Sequence, residues 1–125
     1  MSKNKRPVYL NLSEITLPYP ALVSILHRVS GVALIFSFPF LLPILAHIKN
    51  GSFTRYMIFL DSLPGRIILW LILSGISYHI ISGIRHLWSD FMAGESLHHA
   101  RLTAKTTLLC ALIASVFFFI HVVVL

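Results

Sequence analysis

Apolar residues run almost unbroken through three stretches of the chain, 29–48, 67–87 and 106–125, each close to the roughly 20 residues that a helix needs to cross a bilayer. The pattern predicts an all-α membrane protein of three transmembrane helices. Residues 21–125 then form a single three-helix transmembrane domain, preceded by an arm over residues 1–20. In that arm Arg6-Pro7 and the run Pro18-Tyr19-Pro20 disfavour helix at the residue before each proline, and Val8, Leu10 and Leu12 alternate as if resting on a protein surface. From Ala21 a helix can begin just ahead of the membrane and continue into it. Pro39 and Pro43 are expected to bend or loosen its outer half. The first connection, 49–64, contains Gly51, Asp61 and Pro64 but no metal-ligand spacing and no phosphate loop, so it reads as a loop without chemistry. In the second, 89–105, Trp88 and Phe91 at its start suit the membrane interface, and His98-His99 reads as solvated.

Composition agrees with that pattern: 57% of residues are hydrophobic, 11% are charged and the mean hydropathy is +0.85, outside the range of soluble domains. Cys110 stands alone, which excludes disulfides and cysteine metal clusters within the chain, so any redox centre must use other ligands. Charge sets the expected orientation, because Lys and Arg accumulate on the cytoplasmic side. Lys3, Lys5, Arg6 and Arg28 precede or flank the first span, and Arg85, Arg101 and Lys105 surround the second connection. Only Lys49, Arg55 and Arg66 flank the first connection. The N-terminus and second connection are therefore expected in the cytoplasm, with the first connection and C-terminus outside. The net charge of +6 is then mainly topological; it suits anionic lipid head groups and gives no reason to invoke nucleic acid. Neither a signal peptide nor an Arg-rich transit peptide is read at the N-terminus, which favours a bacterial inner membrane.

Against this background His79 stands out, since an ionisable group inside a membrane helix is costly and marks a candidate functional site. Gly75, His79 and Gly83 recur every four residues and His86 follows seven after His79, so one helix stripe offers imidazole flanked by bare backbone. That face suits a large flat ligand such as a porphyrin, with the imidazole on iron. At the cytoplasmic boundary Ser24, His27 and Arg28 share one face of the first helix: a hydroxyl, an imidazole and a guanidinium that form the floor of a polar pocket, unless Arg28 merely snorkels to lipid phosphates. His79 lies roughly 12 Å below that boundary. The same depth in the other spans falls near Ser37 and near Ile113 or Ala114, with no His or Met beside them, while His47 and His121 belong to the outer leaflet. One chain would thus supply one axial ligand and a partner the other. The bland alternative is a His79 hydrogen-bonded to a neighbouring helix with no cofactor.

Two patterns, Arg6-Pro7 followed by Ser24-Ile25-Leu26-His27-Arg28-Val29-Ser30-Gly31, and His79-x3-Gly83-Ile84-Arg85-His86-x3-Asp90, resemble the cytochrome b-type membrane-anchor subunit of succinate dehydrogenase. The resemblance implies a non-flavin subunit of an enzyme complex. A flavoprotein oxidises succinate there, an iron–sulfur protein relays electrons, and two small membrane anchors hold heme b between them. By position His79 resembles the axial heme ligand, Ser24 and Arg28 resemble ubiquinone-pocket residues, and His27 resembles a residue close to the heme propionates; Arg28 and His86, on the same cytoplasmic side, are expected to share the propionate side with it. Two alternatives stay open: the anchor of a fumarate reductase, with electrons flowing from quinol to fumarate, and a cofactor-free transporter subunit in which His79 relays protons.

Overall fold

The computed structural model describes residues 17–50, 53–92 and 96–125, and all its regular elements are helical. They are α1 (Tyr19–Asn50), α2 (Phe53–Asp61), α3 (Leu63–Phe91) and α4 (Leu97–Phe119), the last closed by a π-helical turn over Ile120–Val124. Most of the N-terminal arm, including Arg6-Pro7 and the Val8, Leu10, Leu12 alternation, lies outside the described residues, as does the side chain of His47. Three helices are long and apolar enough to cross a membrane: Tyr19–Pro43, Leu63–Phe91 and Leu97–Val124. Each begins ahead of its predicted apolar window.

α1 starts earlier than the proline run suggested. The Pro18 carbonyl accepts from the N–H groups of Ala21 and Leu22 at 3.0 and 3.1 Å, and Pro20 occupies the first turn, where a missing N–H costs nothing. Pro39 and Pro43 both remain inside α1. Between them the Phe40 carbonyl accepts a hydrogen bond from the Tyr56 hydroxyl of α2, a side-chain contact of the sort that supports helix interrupted by proline in a membrane.

α2 occupies the segment that reads as a loop. It meets α3 at a tight corner: Ser62 caps α3 by accepting from the Gly65 N–H, Pro64 sits in the first turn, and Arg66 pairs with Asp61 at 2.6 Å. Gly65 is buried, and a Cβ there would fall 2.8 Å from the Leu60 Cα, so only glycine lets the two helices turn so closely.

The long helices pack through small residues. Val23 of α1, Ser82 of α3 and Ala104 of α4 are all fully buried, one from each. Along α3–α4, the Trp70 indole N–H donates to the Ser115 carbonyl at 3.0 Å, Ser74 and Ser115 hydroxyls meet at 3.0 Å, and Phe119 lies edge-on to Trp70. Nearer the other end Arg85 donates to the Ala100 carbonyl at 3.2 Å and to the Thr103 hydroxyl at 3.3 Å. Lipid tails are as apolar as leucine, so association of the helices rests on this packing and these bonds rather than on a hydrophobic force. The outward faces are correspondingly apolar, with Ile35 and Phe36 of α1 and Leu112 and Ile113 of α4 exposed.

α1 and α3 approach through two glycines. A Cβ on Gly31 would lie 3.1 Å from His79 Cε1, and one on Gly83 would lie 3.4 Å from His27 Nε2, so each helix seats its histidine on the other's glycine. Gly75 faces Leu34 at an ordinary 3.7 Å.

Two outcomes test this packing by thermal unfolding of the protein in lipid nanodiscs. Gly65→Ala should destabilise by about 1–3 kcal/mol through overpacking, while Gly75→Ala should be neutral or slightly stabilising. Equal effects at the two sites would remove the steric reading of the corner. Gly31→Val and Gly83→Val should each destabilise, with a double variant deviating from their sum by about 0.5–3 kcal/mol because the two seats form one unit; strict additivity would show that they act separately.

Candidate functional site

α1 and α3 carry the same short spacing, His27-x3-Gly31 and His79-x3-Gly83. One helical turn separates each histidine from its glycine, so the side chain and the bare backbone fall on one face. When two such faces meet, the rings must overlap. The imidazoles of His27 and His79 stack with centroids 4.2 Å apart and planes 15° from parallel, and His86 lies 5.1 Å from His27 at a tilt. His79, expected deeper than His27 and His86, thus forms one cluster with them.

With the helix beginning at Tyr19, His27 lies about two turns inside α1, and the packing of α1 against α3 brings its ring onto that of His79. Depth counting alone therefore does not exclude a second histidine beside His79. In the stacked arrangement the two rings lie face to face and do not point at a common ligand from opposite sides. Among the described residues no group of histidine, cysteine and carboxylate side chains is arranged to hold a metal ion by itself. The glycine stripe also serves differently from expectation: Gly83 seats His27 and Gly75 faces Leu34, so both are taken up by α1.

Polar contacts hold the cluster. The Ser30 hydroxyl is 2.8 Å from the His27 carbonyl and 3.0 Å from His79 Nδ1. His79 Nε2 has no hydrogen-bond partner among the described residues, and the ring is only partly buried. The neighbouring Tyr78 reaches from α3 to α1, its hydroxyl donating to the Val23 carbonyl at 3.0 Å, which registers the turn carrying Ser24, His27 and Arg28 against α3. Ser82 donates to the Tyr78 carbonyl at 2.8 Å and also meets the His79 carbonyl at 3.3 Å.

At the rim, Ser24 is half-buried and Arg28 exposed, on the same face of α1 as His27. Arg28, Arg85 and Asp90 all lie within electrostatic reach of the His86 ring. Arg85 is turned toward α4 by its bonds to Ala100 and Thr103, while Arg28 is exposed on α1. His98 and His99 are exposed in the first turn of α4, as their sequence context suggests. His121 belongs to the opposite end, lining with Arg66, Asp61 and Leu69 an open cavity of about 620 Å³. The Arg66 guanidinium there is paired with Asp61, and the cavity lies apart from the histidine cluster.

Ser24, His27, Arg28, His79 and His86 are thus gathered at one end of the α1–α3 pair. Ser30, Gly31 and Tyr78 join them without having been singled out from the sequence. The repeated His-x3-Gly spacing was the available signal for Gly31. Nothing in the sequence marks Ser30 or Tyr78, whose contacts depend on how two helices are rotated.

The match to known proteins spans nearly the whole chain. The family model for the succinate dehydrogenase/fumarate reductase transmembrane subunit covers residues 2–118. The succinate dehydrogenase cytochrome b556 subunit of Coxiella burnetii is 32% identical over 115 residues, 90% of this chain and 92% of that protein. The subunits of the same name from Rickettsia felis and Rickettsia bellii are each 33% identical, covering 88% and 90% of this chain and 87% and 90% of their own. With three membrane-length helices and this match, the chain belongs to the succinate dehydrogenase/fumarate reductase transmembrane subunit family, as a multi-pass cytochrome b-type membrane anchor.

Proposed function

We propose that this anchor docks the flavoprotein and iron–sulfur subunits of a succinate dehydrogenase to a bacterial inner membrane and helps to form the site where ubiquinone is reduced. In this reading residues 21–125 are one transmembrane domain with the N-terminus in the cytoplasm and the C-terminus outside. The relatives are named for succinate dehydrogenase, which favours electron flow from succinate to quinone over the reverse.

The relatives' name, cytochrome b556, points to heme b, and the residues present fit that group. An imidazole inside a membrane helix, held at Nδ1 by a hydroxyl and with Nε2 unpartnered among the described residues, has the donor chemistry of an axial ligand. With His27 stacked on it, His79 would hold the heme together with a residue of a partner anchor. His27, His86 and Arg28, clustered toward the rim, supply imidazoles and a cation for the propionates. When bound, heme b supplies a one-electron carrier within the membrane.

The observation that carries the proposal is the union of Ser24 and Arg28 with the His27–His79–His86 cluster on one end of α1–α3. Quinone reduction needs two electrons and two protons, so the head group must meet hydrogen-bond donors close to water. The Ser24 hydroxyl can donate to one quinone oxygen. Arg28, always charged, stabilises negative charge that develops on the ring and orders water at the rim, from which protons arrive. Tyr78 keeps the turn bearing both residues in register with α3.

In the assembled complex, Ser24→Ala should lower succinate–quinone reductase activity about tenfold and Arg28→Leu by more, while succinate oxidation with a soluble acceptor stays within about twofold of the parent. Equal loss of both activities would assign these residues to assembly. His79→Leu should abolish the low-spin heme b absorption of the complex; a retained, unchanged reduced spectrum would exclude His79 as the ligand.

A further inference from the structure

Ser30 lies between His27 and Gly31, and its hydroxyl touches both histidines' helices. That hydroxyl has one proton to give and two lone pairs with which to accept. At 2.8 Å it faces the His27 carbonyl, the backward bond that a helical serine makes to the preceding turn. At 3.0 Å it faces His79 Nδ1. A carbonyl can only accept, so the first contact is a hydrogen bond only if Ser30 donates its single proton there. The second contact must then receive its proton from the ring. In the reverse arrangement Ser30 would donate to Nδ1 and forfeit its bond to the carbonyl, making one hydrogen bond where the first makes two.

We infer that Ser30 is a positioning residue that sets the tautomer of His79: Nδ1 carries the proton and donates it to Ser30, and Nε2 carries the lone pair. A neutral imidazole binds a metal through its bare nitrogen, so the contact selects Nε2 as the ligating atom. The ring's placement comes from the same neighbourhood. Gly31 lets the imidazole lie against the α1 backbone, where a Cβ would be 3.1 Å from Cε1, and His27 covers one ring face at 4.2 Å. All of these partners belong to this chain, so α1 prepares His79 before a second anchor or any cofactor arrives.

The inference rests on the proposed role of His79 in holding heme b. A ligating imidazole that donates from its other nitrogen is more basic, pushes more electron density to iron and favours the oxidised metal. Ser30 therefore both strengthens retention of the heme and lowers its midpoint potential.

The test uses Ser30→Ala and Ser30→Thr in the assembled complex, with heme content, optical redox titration and ¹⁵N resonances of the His79 ring in complex assembled without heme. Ser30→Ala should weaken heme retention about tenfold, move the midpoint potential upward and shift the heme-free ring toward the Nε2-protonated form. Ser30→Thr, whose hydroxyl can make the same backward bond, should restore all three. An unchanged potential and retention in Ser30→Ala would overturn the inference. So would an Nε2-protonated His79 in the heme-free parent, a measurement that stands even where the alanine variant fails to assemble. A parent complex without heme, or a His79→Leu complex that keeps it, would instead overturn the underlying reading of His79.

Discussion

In a bilayer no hydrophobic force drives one helix onto another, so α1 and α3 stay together only as far as their surfaces allow close approach and satisfy each other's polar groups. The reciprocal seating of His27 on Gly83 and His79 on Gly31 meets both needs at once. The His79 imidazole is admitted because Gly31 has no side chain, where a Cβ would lie 3.1 Å from Cε1, while His27 rests more loosely over Gly83 at 3.4 Å. The overlap that follows stacks the two rings, and the Tyr78–Val23 and Ser30–His79 bonds fix the remaining freedom of rotation between the helices. The fully buried Val23, Ser82 and Ala104 lie beside or within the same turns, which joins α4 to the pair.

From this contact the division of labour among the charged residues follows. α4 takes Arg85 through the Ala100 carbonyl and the Thr103 hydroxyl, so one of the two arginines near His86 becomes a strut. Arg28 is left exposed on the α1 side, close to the half-buried Ser24. Both guanidiniums keep their charge, but the bonds of Arg85 to neutral oxygens of α4 hold its side chain in place, whereas Arg28 stays exposed. At the opposite end the Asp61–Arg66 pair and the Gly65 corner serve geometry, turning α2 back against α3 and bringing Tyr56 to the Phe40 carbonyl between the two prolines.

The three spans were legible because twenty apolar residues in a row have few other uses, and His79 was legible because an ionisable group among them has no bland solvent to face. Ser24, His27 and Arg28 were legible as a stripe through helical spacing alone. α2 was not: its nine residues mix Thr54, Arg55 and Asp61 with apolar positions, too short a run for periodicity to separate helix from loop. α1 starts at Tyr19, two residues before the expected Ala21, because a first turn tolerates Pro20. The neighbourhood of His27 with His79 was not legible because it depends on how α1 packs against α3. Ser30 sat in view within a quoted motif, but which way its hydroxyl points is decided by the rotation of α1 against α3, a property of the pair.

The same lock explains why this chain, read as a heme-binding anchor, would need a partner. α1 covers His79 at Nδ1 and on one ring face, using Ser30, Gly31 and His27. Those contacts occupy Nδ1 and leave Nε2 without a hydrogen-bond partner among the described residues. The histidine that comes closest, His27, is held parallel to it and is thereby unable to oppose it across a metal. An anchor that used His27 as the second ligand would have to unstack the rings and pull His27 from Gly83, loosening the α1–α3 contact on which the position of Ser24 and Arg28 depends. Supplying the opposing ligand from another subunit avoids that conflict. The histidine that stabilises the helix pair and the histidine that holds iron can then be different residues, each kept in place by the other.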